Sequence, residues 1–421
     1  MVRLLTKDAT VTPLPPDSLG SSRAGIHGLG WIFAFLLVTL AIVGGLARLG
    51  SASASVAGSR PARTVRSAPA VEQTRAAWPA QRAQLAPTAS HKPRKRRTAA
   101  AVPAYCQSGG TRLWSHLAAC GWPGESTTGP VLADCHDRQL VQRGNGVTPI
   151  VLASRNEVVS CAYLRGPVEI KATGVTIRNS TVAVTSGAMV RGNAAIIIAA
   201  GASATISHVA IDGRDKVHAC IWHRGVRLKV TAVNCRRVHD AIFAWAVNGS
   251  AAGGDNYSIM NSYFHAFTKP TAHGHDDGFQ TEGSSHGLIR HDTFRMPAGA
   301  TSAIAIWDSR RSSSDIAVTK NLIAGGGFAV YAEDYNPDDS APEGSSATGG
   351  NSVTDIWFDD NSFSTAASGC VGKYGVWFTR PGWQPYEGGP TDGWHRLDNL
   401  VLETGENIDN ANPQDDSEPC G

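Results

Sequence analysis

Val175 to Val182 reads VTIRNSTV, and six further octets repeat its pattern. They are ATISHVAI from Ala204, LKVTAVNC from Leu228, YSIMNSYF from Tyr257, GLIRHDTF from Gly287, IAVTKNLI from Ile316 and IWFDDNSF from Ile356. The third residue is always apolar (Ile177, Ile206, Val230, Ile259, Ile289, Val318, Phe358), and these positions lie 29, 24, 29, 30, 29 and 40 residues apart. First and third positions alternate with mostly polar ones, as in a strand with one buried face. The fifth position (Asn179, His208, Ala232, Asn261, His291, Lys320, Asp360) is polar in six of seven octets and breaks that alternation. The chain turns inward again at Val182, Ile211, Cys235, Phe264, Phe294, Ile323 and Phe363. Strand, sharp polar turn and strand at coil-like spacing predict a parallel β-helix, whose coils bury apolar residues only by stacking on one another. Asparagine suits the turn because it tolerates left-handed backbone angles and can hydrogen-bond along the stack.

Outside the repeats the chain is uneven. Its 421 residues carry a net charge of +3, but residues 1–104 hold 14 Lys and Arg against 3 Asp and Glu. The remainder is acidic, with 24 basic and 32 acidic residues. An acidic folded domain argues against nucleic acid as a partner, because phosphate contacts need a basic face. All eight cysteines fall after residue 104, none in a Cys-x-x-Cys spacing. That pattern predicts disulfides in an oxidising compartment, with Cys106–Cys120 and Cys370–Cys420 as ties near the two ends. The apolar run WIFAFLLVTLAIVGGLA, Trp31 to Ala47, predicts a membrane anchor over residues 29–50, with a cleavable signal as the alternative. Residues 1–28 would then be a cytoplasmic leader and residues 51–104 a disordered Ala/Pro/Ser/Arg-rich linker. The linker's densest basic run, HKPRKRRT from His91, reads as a solvated tether or as a contact for anionic lipid or wall polymer. Residues 105–421 would form the β-helix domain outside the cell.

The octets, the segment GWPGESTTGP (Gly121 to Pro130) and GPVEIKATGVTIRNSTV (Gly166 to Val182) resemble secreted bacterial right-handed parallel β-helix proteins of the pectin-lyase-like superfamily. The resemblance covers Cys120 to Gly421. It implies an all-β, right-handed parallel β-helix, and it leaves activity open, since that superfamily includes lyases, hydrolases, epimerases, esterases and tailspikes.

A second strand family precedes the octets: ACIWHR from Ala219, DAIFAW from Asp240, DGFQTE from Asp277, SAIAIW from Ser302, FAVYAE from Phe328 and YGVWFT from Tyr374. With the third residue facing the core, the fourth and sixth face outward. That column contains Trp222, Arg224, Phe243, Trp245, Gln280, Glu282, Ala305, Trp307, Tyr331, Glu333, Trp377 and Thr379, with Asp308, Asp334 and Arg380 at the strand ends. Aromatic rings beside acids, an amide and an arginine suit an extracellular polysaccharide lying across the coils. Packing beneath the long insertions around 336–350 and 381–394 is the structural alternative.

Glycoside hydrolysis needs two carboxyl groups flanking one bond. Asp277, Glu282, Asp308, Glu333 and Asp334 are candidates, with Glu282 and Asp308 the first choice. A β-eliminating lyase would use His275 or His273 as base, or Arg290 or Lys320. Asp276, Asp277 and Glu282 would then offer an oxygen set for Ca²⁺. The polygalacturonase motifs of the superfamily are not reproduced: Asp276–Asp277 and SSHG fall within a dozen residues and the others are missing. His291 occupies the turn position of Asn179 and Asn261 and is expected to be architectural. The functional expectation is an extracytoplasmic carbohydrate-active enzyme, lyase or hydrolase. The alternative is a membrane-tethered protein that binds a wall or capsule polymer without cutting it.

Overall fold

The computed structural model describes residues 103–187, 193–245, 253–268, 275–333, 353–366, 369–379 and 394–409. The expected leader and anchor, and nearly all of the linker, lie outside the described residues. Among the described residues no helix is long and apolar enough to cross a membrane.

The octets become strands that turn where expected. The fifth residues Asn179, His208, Ala232, Asn261, His291, Lys320 and Asp360 all have positive φ, between 44° and 60°. The first two octets bend within single strands, Val175–Ala183 and Ser203–Asp212, and the later ones divide into two, such as Tyr257–Met260 and Tyr263–His265. These strands join one parallel sheet of 17 strands among the described residues, and the six hexads supply the last six strands of a second parallel sheet of nine. A full coil contributes three strands, for example Ala219–His223, Arg227–Thr231 and Asn234–Arg236. This all-β stack of parallel sheets fits a β-helix. Short helical segments, Ala104–Gln107 and Gly110–Ser115, precede it.

Pairing is in register, so like residues stack. Ile177, Ile206, Val230, Ile259, Ile289, Val318 and Phe358 form one interior column. Val182, Ile211, Cys235, Phe264, Phe294, Ile323 and Phe363 form another, in which the Phe264 and Phe294 rings stack at 4.8 Å. Burial of each such side chain contributes about 1.5–3 kcal/mol. Two further octets belong to the stack although their third residues or spacing hide them. EVVSCAYL turns at Cys161 (φ 53°), and WHRLDNLV, with Arg396 third, turns at Asp398 (φ 57°). Disulfides join Cys106 to Cys120, as expected, and also Cys135 to Cys161 and Cys220 to Cys235. Cys370 is disulfide-bonded too, while Cys420 lies outside the described residues.

The sixth octet position carries most of the stack's polar bonding, where the sequence pointed to the fifth. Asn321, Asn361 and Asn399 are buried there, each side chain donating to a backbone carbonyl of the preceding coil; Asn321 also donates to Asn361, Asn361 to Asn399, and Asn399 to Asp409. Asp292 occupies the same column, accepting the Ser262 amide at 2.7 Å and receiving only partial compensation for its burial. Burial holds its carboxyl well above the ordinary range, despite the bonds from Ser262 and Arg290. A carboxyl that binds protons more tightly folded than unfolded stabilises the fold fully below its ordinary value of 3.8. That contribution is lost as pH rises through the raised folded value. Asp292→Asn, which supplies the amide used elsewhere in the ladder, is therefore expected to stabilise the protein near pH 7 by about 1–3 kcal/mol. Thermal unfolding at neutral pH and near pH 4 checks this. An equal gain at both values, or none at neutral pH, refutes the ladder argument.

Candidate active site

The nine-stranded sheet corrects the expected period at one place. In the first five hexads the second and third residues both face the interior, as with Cys220 and Ile221, Ala241 and Ile242, or Ala303 and Ile304. Register skips the second position in successive pairs, and the first residue is thereby turned outward. The second position is small for a physical reason. A Cβ on Gly278 would meet the Ala303 carbonyl oxygen and the Phe294 ring, both at 2.5 Å. Outward-facing first residues are Ala219, Asp240, Asp277, Ser302 and Phe328. The residues before them, His218, His239, Asp276 and Thr301, form a neighbouring column.

These two columns assemble an acid cluster at the start of the strands. Asp240 accepts the Asp277 amide on Oδ1 at 2.6 Å, and its Oδ2 lies 2.9 Å from His218 Nδ1. His239 Nδ1 pairs with Asp276 Oδ1, and the His218 and His239 rings are 5.4 Å apart. Ser302 donates its hydroxyl to Asp277 Oδ1 at 2.5 Å. The three carboxylates are fully buried. Burial first, then the charge of Asp240, raises the Asp277 carboxyl well above the ordinary range, with Ser302 opposing. Burial also raises Asp276, against the opposing pull of His239 and His218. The cluster therefore contains a carboxyl of raised proton affinity beside carboxyls paired with imidazoles, an arrangement suited to proton donation and acceptance.

The other expected residues are distributed along the same face. Glu282, five residues beyond Asp277, stands about 16 Å away at the rise of a strand, so these two cannot flank one bond. Glu282 is tied to Arg310 through Oε2 and accepts from Gln280 at 3.4 Å. Asp308 is buried on the next coil, two residues past Ile306, which pairs in register with Thr281, the residue before Glu282. The first-choice pair Glu282 and Asp308 thus shares an end of the sheet, but the Glu282 charge is committed to Arg310. His275 is exposed, with its ring edge-on to Trp307 at 5.5 Å. Among the described residues no three of His, Cys, Asp and Glu are arranged to hold a metal ion. The expected Ca²⁺ set is split accordingly: Asp276 serves His239, Asp277 serves Ser302, and Glu282 serves Arg310. Glu333 ends its strand, Phe328–Glu333; His273, Asp334 and Arg380 lie outside the described residues.

The aromatic column exists, more enclosed than expected. Trp222 is half-buried, with the Arg224 guanidinium 4.9 Å over its ring, and Trp245 packs edge-on at 6.1 Å. Trp245, Trp307 and Gln280 are buried. Tyr331 is half-buried and stacks on Phe378 at 4.1 Å. That stack exposes a register error: Val330 pairs with Trp377 and not with Val376. Trp377 consequently faces inward, edge-on to Phe358 and Phe363, and Phe378 replaces it in the outward column.

Sequence reasoning missed His218, His239 and Asp240 as site residues. The signal was present in VHACIW, VHDAIF and HDDGFQ, which align on Ile221, Ile242 and Phe279 and place His218, His239 and Asp276 in one column and Asp240 and Asp277 in the next. His291 is architectural as expected: Nδ1 lies 2.7 Å from Asn261 Oδ1 and Nε2 2.9 Å from the Gly121 carbonyl. No protein-family model matches the chain, and no curated protein matches it.

Proposed function

We propose that this is an extracytoplasmic, pectin-lyase-like β-helix enzyme that hydrolyses glycosidic bonds of a polysaccharide. The observation that carries the reading is the convergence of Asp240, Asp276 and Asp277 with a strongly raised proton affinity at Asp277. Asp277 is the proton donor to the leaving oxygen. Asp240, one coil away and held by His218, is the base for the attacking water, and Asp276 with His239 steadies positive charge on the sugar. A carboxyl kept protonated suits a leaving group that must gain a proton, which favours hydrolysis over β-elimination. The aromatic column from Trp222 to Phe378 continues the same face and supplies rings for apolar sugar faces. Because the three carboxylates are closed to solvent in this structure, polymer binding must uncover Asp277. The disulfides agree with an oxidising, extracytoplasmic location, and residues 29–50 provide the anchor.

A panel of polysaccharides assayed for reducing ends and for unsaturated-uronate absorbance tests the proposal. Reducing ends without unsaturated product are expected from at least one polymer. Unsaturated product would replace the hydrolase by a lyase. Glycan retention with neither signal would favour the binding protein.

A further inference from the structure

A concave site lies on the other sheet, away from the acid cluster. The segment Trp114 to Ser126 stands off the strands Tyr263–His265 and Thr293–Arg295, leaving a cleft of about 620 Å³. Its floor is the Tyr263 and His265 rings, stacked at 4.0 Å and nearly parallel. Its walls include Trp114, His116, Glu125 and Arg295. Arg295 lies 5.6 Å from the Trp114 ring centroid and hydrogen-bonds Tyr263.

His265 sets the polarity of the floor. Nε2 lies 3.0 Å from Asn234 Oδ1, an acceptor, so Nε2 carries the proton and Nδ1 turns a lone pair toward Glu125. Burial, with Arg236 and Arg295 adding to it, lowers the imidazole to about 4, so the ring is neutral at physiological pH. Glu125 Oε1 is 3.9 Å from Nδ1, too far for a direct bond. Two acceptors therefore face the cleft side by side and call for two donors. Two neighbouring hydroxyls on one ring supply them, and their oxygens can in turn accept from Arg295. One arginine balances one glutamate in the lining, which favours an uncharged ligand over a uronate. The volume falls within the range of small-molecule sites.

We propose that this cleft binds a neutral hexose unit through a vicinal diol, held by Glu125 and His265 and capped by Arg295. The site is independent of the cleavage reading: it lies on a different sheet and needs no chemistry.

The test uses the full chain and methyl glucoside, methyl galactoside and methyl mannoside, followed by calorimetry and tryptophan fluorescence. At least one hexoside is expected to bind saturably, with affinity falling about tenfold or more in Glu125→Ala and in the deoxy analogue lacking one diol hydroxyl. Glu125 is exposed, so its loss should spare the fold, and an unchanged unfolding temperature verifies that. Arg295→Met provides a second variant with the same expected loss. The proposal is overturned if no hexoside binds, or if both variants bind it as tightly as the parent does. It is equally overturned if glucuronate or glycine occupies the cleft and the hexosides do not. Failure here leaves polysaccharide hydrolysis by Asp277 untouched, and loss of hydrolysis in Asp277→Asn leaves hexoside binding intact.

Discussion

Asp277→Asn is expected to lower polysaccharide hydrolysis by about 10²- to 10⁴-fold, the usual contribution of a positioned general acid. The substitution preserves shape and the bond from Ser302, and it removes only the transferable proton. Because the Asp277 carboxyl is raised by burial and by Asp240, its folded form binds protons more tightly than the unfolded chain does. Its contribution to stability is therefore full below the ordinary value of 3.8 and is lost as pH rises through the raised value. The asparagine variant should consequently be as stable as the parent or more so at neutral pH, which separates lost chemistry from lost folding. The parent's activity should fall on the alkaline side as Asp277 ionises. His218→Ala should move that profile by releasing Asp240. Unchanged turnover in Asp277→Asn would remove Asp277 from the mechanism and leave the cluster a structural one.

Asn361→Ala should destabilise the stack by about 3–5 kcal/mol, since each buried polar group left without a partner costs about 1–3 kcal/mol. Asn361 donates through Nδ2 to the Val318 carbonyl and to Asn399 Oδ1, both at 2.9 Å. It accepts the Asn321 amide at 3.0 Å and the Asn321 side chain at 2.9 Å. Alanine removes all four and strands groups on the two flanking coils. Asn361→Asp keeps the two accepted bonds and loses the two donated ones. It should therefore be less damaging in acid and worsen as pH rises, the same sign as at Asp292. Chemical unfolding of both variants across pH provides the measurement. Hydrogen exchange should show the loss spreading from the coils around Val318 and Asn399, because coils interact mainly with their neighbours. A loss below about 1 kcal/mol would show that water replaces the ladder.

Several of these features are legible in the amino-acid sequence. A three-residue apolar spacing interrupted by one polar turn residue is a strong signal, since a strand's period of two leaves few other ways to bury both halves. All seven turn residues adopt the left-handed conformation, including Lys320 and His208, which are poor guesses by propensity alone. WHRLDNLV escaped notice because Arg396 replaces the apolar third residue, its guanidinium lying 4.9 Å from the Trp377 ring. Trp377 itself was misplaced because a one-residue shift in a short strand exchanges inside for outside.

The coil, its turn positions and the columns that stack are readable from the chain alone, because local alternation and repetition at coil spacing are written in neighbouring residues. Which polar groups meet depends on how the coils pack in three dimensions. Asp240 reaches Asp277 across 37 residues, and His239 reaches Asp276 across the same interval. Those meetings depend on an irregularity that turns the first residue of each hexad outward. The same stacking closes the acids off from water, and that burial is what raises the Asp277 carboxyl.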